Sequence, residues 1–153
     1  MYQRILVPID GSSTSNAGLE EAIKLAKLTN GSLRLLHIVE IVAYATGFEP
    51  YGASMADLLP TLRAAGQEIL DNGVARAQAN AVSVDTVLLD SLGGRVSDAV
   101  VEQAKAWKAE LIVIGTHGRR GVGRMLMGSD AEQVLRAAPA PVLLIRAPES
   151  SPL

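Results

Sequence analysis

The sequence predicts an α/β fold, an open sheet of five parallel strands with helices on both faces. Five short apolar runs alternate with longer helical patterns, which is the signature of a parallel sheet with crossover helices. Several runs (ILVPI, LIVI, VLLI) are apolar at every position, as expected of strands covered above and below. With 153 residues, 48% of them hydrophobic, and no long polar tract, the chain is large enough for a single core without staples.

The strands are expected at Arg4–Ile9, Leu33–Val39, Val84–Leu89, Leu111–Ile114 and Val142–Ile145. Between the first two, Ala17, Leu19, Ala22, Ile23, Ala26 and Leu28 recur at helical spacing, with Ser/Thr/Asn candidates for the N-cap before them and Asn30-Gly31 closing the end. An alanine-rich helix is expected from Ser54 to about Ala81, carrying Leu58, Leu62, Ile69 and Val74 and interrupted near Pro60 or Gly66. A third helix is expected over Ser97–Lys108, with Val100, Ala104 and Trp107 on one face. A fourth runs over Ser129–Ala137, ended by Pro139 and Pro141. The stretch Ile41–Gly52, with Tyr44, Phe48 and Tyr51, is either a lid over a ligand or a long loop folding its own aromatics onto the core. One domain is expected over residues 1–148, with a flexible tail at 149–153.

A formal charge of −2 and a pI near 5.7 lack the basic excess of a protein that grips duplex nucleic acid, so no nucleic-acid partner is expected. The absence of cysteine excludes disulfides and thiolate metal sites and fits a reducing compartment. The opening MYQRILVPID is too short an apolar run for a signal peptide. No segment reaches the roughly 18 apolar residues of a membrane helix, so a cytoplasmic protein with no membrane partner is expected.

The chemistry concentrates in Gly115–Ser129 (GTHGRRGVGRMLMGS), which places five glycines and three arginines between an apolar strand and a helix start. Glycine lets backbone approach an anion and adopt positive φ, and arginine supplies a charged fork that matches phosphate oxygens. In an open parallel sheet such a stretch lies at the carboxyl ends of the strands, where ligands bind. Gly128-Ser129 there opens a helix whose free N–H groups favour an anion. The run GRMLMGS from Gly123 has Walker A glycine spacing but no lysine. The dinucleotide fingerprint G-x-G-x-x-G is missing after the first strand, which reads Asp10-Gly11-Ser12-Ser13.

Gly115-x2-Gly118-x9-Gly128-Ser129 is similar to the G-2x-G-9x-G-(S/T) motif of ATP-binding members of the universal stress protein family. The segments RILVPIDGSSTSNAGLEEAIKLA, LRLLHIVE, LIVIGTHGRRGVGRMLMGS and APAPVLLIRAP resemble the same family, across most of the chain outside Ile41–Ala81. The resemblance implies a Rossmann-like domain whose cofactor is ATP with Mg²⁺, or AMP, ADP or cAMP. It implies adenine against the backbone of Ile38 and near Pro8, with Asp10 facing ribose or a metal-bound water. Gly115 and Gly118 would pass close to ribose and phosphates, next to Ile114, and the amides and hydroxyl of Gly128 and Ser129 would hold the phosphate tail. It also implies a homodimer, for which the terminal strand Val142–Arg146 at a sheet edge is the candidate surface.

Several residues keep two readings. Asp10 is a ligand contact or part of an Asp-Gly turn. His117 is a phosphate contact or a solvent-facing ring. Arg119, directly after Gly118, is the leading phosphate arginine, with Arg120 and Arg124 behind it. Asp130 departs from the family pattern and is either a carboxylate beside the phosphates, needing Mg²⁺ or arginine, or a first-turn acid favoured by the helix dipole. His37 reads as a core histidine. No metal ligands are assigned. Hydrolysis requires a positioned base or water-orienting group, for which only His117 and Asp130 are at hand, so a nucleotide-dependent stress-response switch or sensor is expected rather than an enzyme, with slow ATP turnover still open. The competing expectation is a dimeric interaction protein whose loop is structural and holds no nucleotide.

Overall fold

The computed structural model describes residues 1–41, 55–117 and 127–147. The expectations for the Ile41–Gly52 aromatics beyond Ile41, for Gly118, Arg119, Arg120 and Arg124, and for the tail fall outside those residues. The elements are β1 (Arg4–Pro8), α1 (Ser13–Thr29), β2 (Ser32–Glu40), α2 (Met55–Ala79), β3 (Ser83–Ser91), α3 (Val96–Trp107), β4 (Leu111–Gly115), α4 (Ser129–Ala137) and β5 (Val142–Ile145). They form one five-stranded sheet in the order β3-β2-β1-β4-β5, parallel at every pairing.

Alternation along the strands divides the core in two. Ile5, Val7, Leu33, Leu35 and Val113 face α1 and α2, where Leu19, Ala22, Ile23, Ala26 and Leu70 meet them. Leu6, Leu36, Ile112 and Ile114 face α3 and α4, where Val100, Ala104, Ala131 and Val134 meet them. Both parities of β1 and β4 are therefore buried, which is why these runs read as continuous hydrophobics. Each such side chain contributes about 1.5–3 kcal/mol by leaving water.

At the start of α1, the Ser12 hydroxyl accepts from the Ser15 N–H at 3.2 Å. Asn30 ends the helix in the left-handed region at φ 53°, and the Gly31 N–H closes back on the Ala26 carbonyl. Leu28 does not join the apolar stripe and is exposed. It lies two residues past Ala26, about 200° around the helix from the face set by Leu19, Ala22, Ile23 and Ala26.

α2 also departs from expectation, because it runs unbroken through Pro60 and Gly66. Pro60 removes one ladder bond on the exposed side. Gly66 is a contact residue, since a Cβ there would stand 2.6 Å from His37 Cδ2, and at Gly73 one would stand 2.6 Å from Leu35 Cδ1. The buried stripe of α2 is thus Gly66, Leu70, Gly73 and Ala77, flanked by the half-buried Ile69 and Val74. A hydrophobicity pattern does not register two of its four members. His37, buried at β2 with Nδ1 donating to the Ile9 carbonyl at 2.7 Å, is the core histidine expected.

Ion pairs tie α2 and the helix-side face of β2 to the edge strand β3. Arg63 donates to both carboxylate oxygens of Asp90, which holds that carboxyl below its ordinary range. Arg34 forks onto Asp85 at 2.8 and 2.7 Å, its guanidinium carbon 4.7 Å from the Trp107 ring centroid.

Two helical glycines are expected to respond to alanine with opposite signs. At Gly18 the nearest atom to a new Cβ is 3.6 Å away, so Gly18→Ala should stabilise; the gain is about 0.5–1 kcal/mol from helix propensity. Gly66→Ala should destabilise despite the same propensity gain, by about 1–2 kcal/mol, because the ring it meets is fixed by its bond to Ile9. Urea unfolding of both variants checks the pair, and equal signs would refute it.

Candidate functional site

The strand order reverses between β1 and β4, so their carboxyl ends open onto a crevice flanked by helices of opposite faces. Three segments converge there: Ile9–Ser12 after β1, Thr116–His117 after β4, and Gly128–Ser129 at the start of α4. The Thr116 N–H donates to the Ile145 carbonyl of β5 at 2.9 Å, and the Gly128 N–H donates to the Thr116 carbonyl at 2.6 Å. The second bond ties the two ends of the glycine-rich stretch together.

That bond engages the Gly128 amide within the protein. The ladder of α4 begins with the Glu132 N–H on the Gly128 carbonyl at 3.0 Å, so the amides of Ser129, Asp130 and Ala131 precede it and form the anion-attracting end of the helix. Ser129 and Asp130 are exposed on this first turn.

Neither Gly115 nor Gly128 has a positive φ. Gly128 has φ −59° and ψ 149°, which any residue adopts. Among the described residues the glycines with positive φ are Gly11 and Gly93. Gly115 is required by α1, since a Cβ would lie 2.8 Å from the carbonyl carbon of Thr14 and 2.9 Å from its oxygen. The same turn of α1 reaches the next residues of the loop, where the buried Thr14 hydroxyl donates to the His117 carbonyl.

His117 Nδ1 lies 3.0 Å from the Thr116 hydroxyl, while Nε2 is buried with no hydrogen-bond partner among the described residues. The residue as a whole is half-buried, with its outer nitrogen screened from solvent. Asp10 Oδ1 accepts from the Ser12 N–H at 2.9 Å, and its own N–H donates to the Ser15 hydroxyl at 3.0 Å. The turn reading of Asp10 is therefore realised, with Gly11 at φ 81°.

Pro8 ends β1 opposite Leu36. Ile38 is half-buried near the end of β2, on the face covered by α3 and α4, and Ile114 is buried at the end of β4 on that same face. The structure thus gathers Pro8, Asp10, Ile114, Gly115, His117, Gly128 and Ser129 around the ends of β1 and β4, with Ile38 one strand away. The sequence reading missed Thr14, Ser15 and Thr116 as organising residues. The signal for Thr14 and Ser15 is the Ser/Thr run SSTS after Asp10-Gly11, which by itself suggests only an N-cap; Thr116 lies in the glycine-rich stretch. Among the described residues no group of three or more His, Asp or Glu side chains is placed to hold a metal, so a divalent ion here would have to share its ligands with a phosphate chain. No helix among them is long and apolar enough to cross a membrane.

Residues 1–146 match the model of the universal stress protein family. A universal stress protein of Methanocaldococcus jannaschii is 33% identical over 149 residues, covering 97% of this chain and 85% of that protein. A crystal structure of a family member from Burkholderia pseudomallei superposes with a TM-score of 0.75 at 30% identity, covering 94% of this chain and 96% of that one. A universal stress protein solved in complex with cAMP superposes with a TM-score of 0.69 at 25% identity, covering 96% and 99%.

Gly115→Ala should lower stability even without any ligand, by about 1–3 kcal/mol, because the new methyl meets main-chain atoms of α1 that have no rotamer to relieve it. Denaturant melts of the unliganded protein check this, and an unchanged midpoint would show that Gly115 is not set by the approach of α1.

Proposed function

The chain belongs to the universal stress protein family, and on that premise we propose that it binds adenine nucleotide, ATP first, and serves as a nucleotide-dependent switch or sensor in a stress response. The observation that supports this reading is the bond from the Gly128 N–H to the Thr116 carbonyl, which brings the start of α4 beside the end of β4, where His117 Nε2 is buried with no partner among the described residues. Adenine would lie against the Ile38 backbone and Pro8, with Ile114 below it and ribose near Asp10. The phosphates would reach Gly118, Arg119, His117 and the amides and hydroxyl at Ser129. Asp130 would face them through Mg²⁺. The relative that carries cAMP supports an adenine ligand on this scaffold.

Two or three charge-assisted hydrogen bonds of about 1.5–3 kcal/mol each support micromolar affinity. Isothermal titration with ATP, ADP, AMP and cAMP is expected to give a Kd in that range for at least ATP. Gly118→Ala and Gly128→Ala should each weaken it. The second variant is the more telling, because alanine accepts the torsions of Gly128 and only the approach of the ligand is obstructed. Absence of binding by all four nucleotides would leave the loop a structural element and favour the interaction-protein reading.

A homodimer through Val142–Arg146 belongs to the same proposal. β5 lies at the sheet edge, its four residues are all half-buried, and its outer backbone edge has no strand beside it among the described residues. Sedimentation equilibrium should give twice the 16.1 kDa chain mass; a monomer at micromolar concentration would remove this part.

A further inference from the structure

Two buried side-chain polar atoms have no hydrogen-bond partner among the described residues: His117 Nε2, at the loop already discussed, and Ser97 Oγ. Buried hydroxyls are nearly always paired, and an unpaired one costs stability. Ser97 is 2% exposed and lies in the first turn of the twelve-residue helix α3. The helix start itself is uncapped by side chain: Arg95, at the N-cap, makes no such bond, and the chain enters through Gly93, at φ 108°, and Gly94.

The fold places this hydroxyl. Ser97, Val100 and Ala104 form the inward stripe of α3, and Val100 packs in one cluster with Leu36 of β2. As a crossover between parallel strands, α3 runs antiparallel to them, so its first turn lies toward the carboxyl ends. Ser97 is three residues, about 4.5 Å, beyond Val100 in that direction. Ile38 is two residues, about 6.6 Å, beyond Leu36 in the same direction and on the same face of the sheet. Ser97 and Ile38 therefore both lie toward the carboxyl end of that face. The anion-attracting start of α4 follows β4, two strands away across the sheet, about 9.6 Å. That separation suits a nucleoside whose phosphates lie over β4 and whose base lies over β2.

We propose that the Ser97 hydroxyl is a base-contacting residue, hydrogen-bonded to the heterocycle edge of the bound nucleotide; this rests on the nucleotide-binding reading above. A hydroxyl both donates and accepts, so it can pair with an exocyclic amino group or a ring nitrogen. The helix leaves it unsatisfied until a base arrives.

The test is Ser97→Ala in the full chain, with ATP titrated calorimetrically and thermal unfolding followed without ligand. Removing an unpaired buried hydroxyl should leave the unliganded Tm unchanged or raise it, while ATP binds about tenfold more weakly. ATP binding equal to wild type overturns the inference and leaves the nucleotide-binding reading intact. Weaker ATP binding accompanied by a lower unliganded Tm also overturns it, by showing that the hydroxyl supports the helix. If wild type itself binds none of the four adenine nucleotides, the nucleotide-binding reading fails and this inference falls with it.

Discussion

The carboxyl end of the sheet is organised by the contact between the first turn of α1 and the end of β4. Gly115 lets the Thr14 backbone come within van der Waals distance, and the Thr14 hydroxyl holds the His117 carbonyl. The same short helix turn holds β1's exit, because Ser15 accepts from the Asp10 N–H and Asp10 accepts from Ser12. Two strands adjacent in space but distant in sequence thus share one cap. Contacts of this kind, made within the protein, are how a site is preorganised so that weak individual contacts add up.

From that fixed point the glycine spacing gains a mechanical sense. Gly115 yields to α1, and the Gly128 amide returns to Thr116. The relevant property of Gly115 is the missing Cβ, and torsional freedom matters instead at Gly11, where the chain turns from β1 into the α1 cap at φ 81°.

The architecture was legible because its signals are additive along the chain: both parities of β1 and β4 are apolar, and Asn30-Gly31 announces the end of α1. What escaped was set by packing between distant elements. Gly66 reads as an interruption in a linear pattern and Gly73 gives no signal in it, yet both are where α2 touches the sheet, and no local propensity carries that information. Leu28 failed in the reverse sense, having the right chemistry at the wrong angle. At the site, the motif located the loop and the start of α4. Thr14 acts through its hydroxyl on the His117 carbonyl and Thr116 through its backbone on Ile145 and Gly128, contacts between distant segments that spacing does not encode.

On the proposed reading, nucleotide and cation binding would be coupled at the start of α4. Asp130 and Glu132 both lie in its first turn, where the helix dipole favours a carboxylate by about 0.3–1 kcal/mol each. Glu132 is held by Arg136 one turn later at 2.9 Å, which draws its charge away from the helix end. Asp130 is exposed on that turn, so an arriving phosphate would meet an anion already occupying the favourable field. A divalent ion between them converts that repulsion into two attractive contacts, whereas a nucleotide with fewer phosphate charges avoids much of it. On the proposed reading, the residue after Ser129 would bear on which phosphorylation state the crevice prefers, independently of the base.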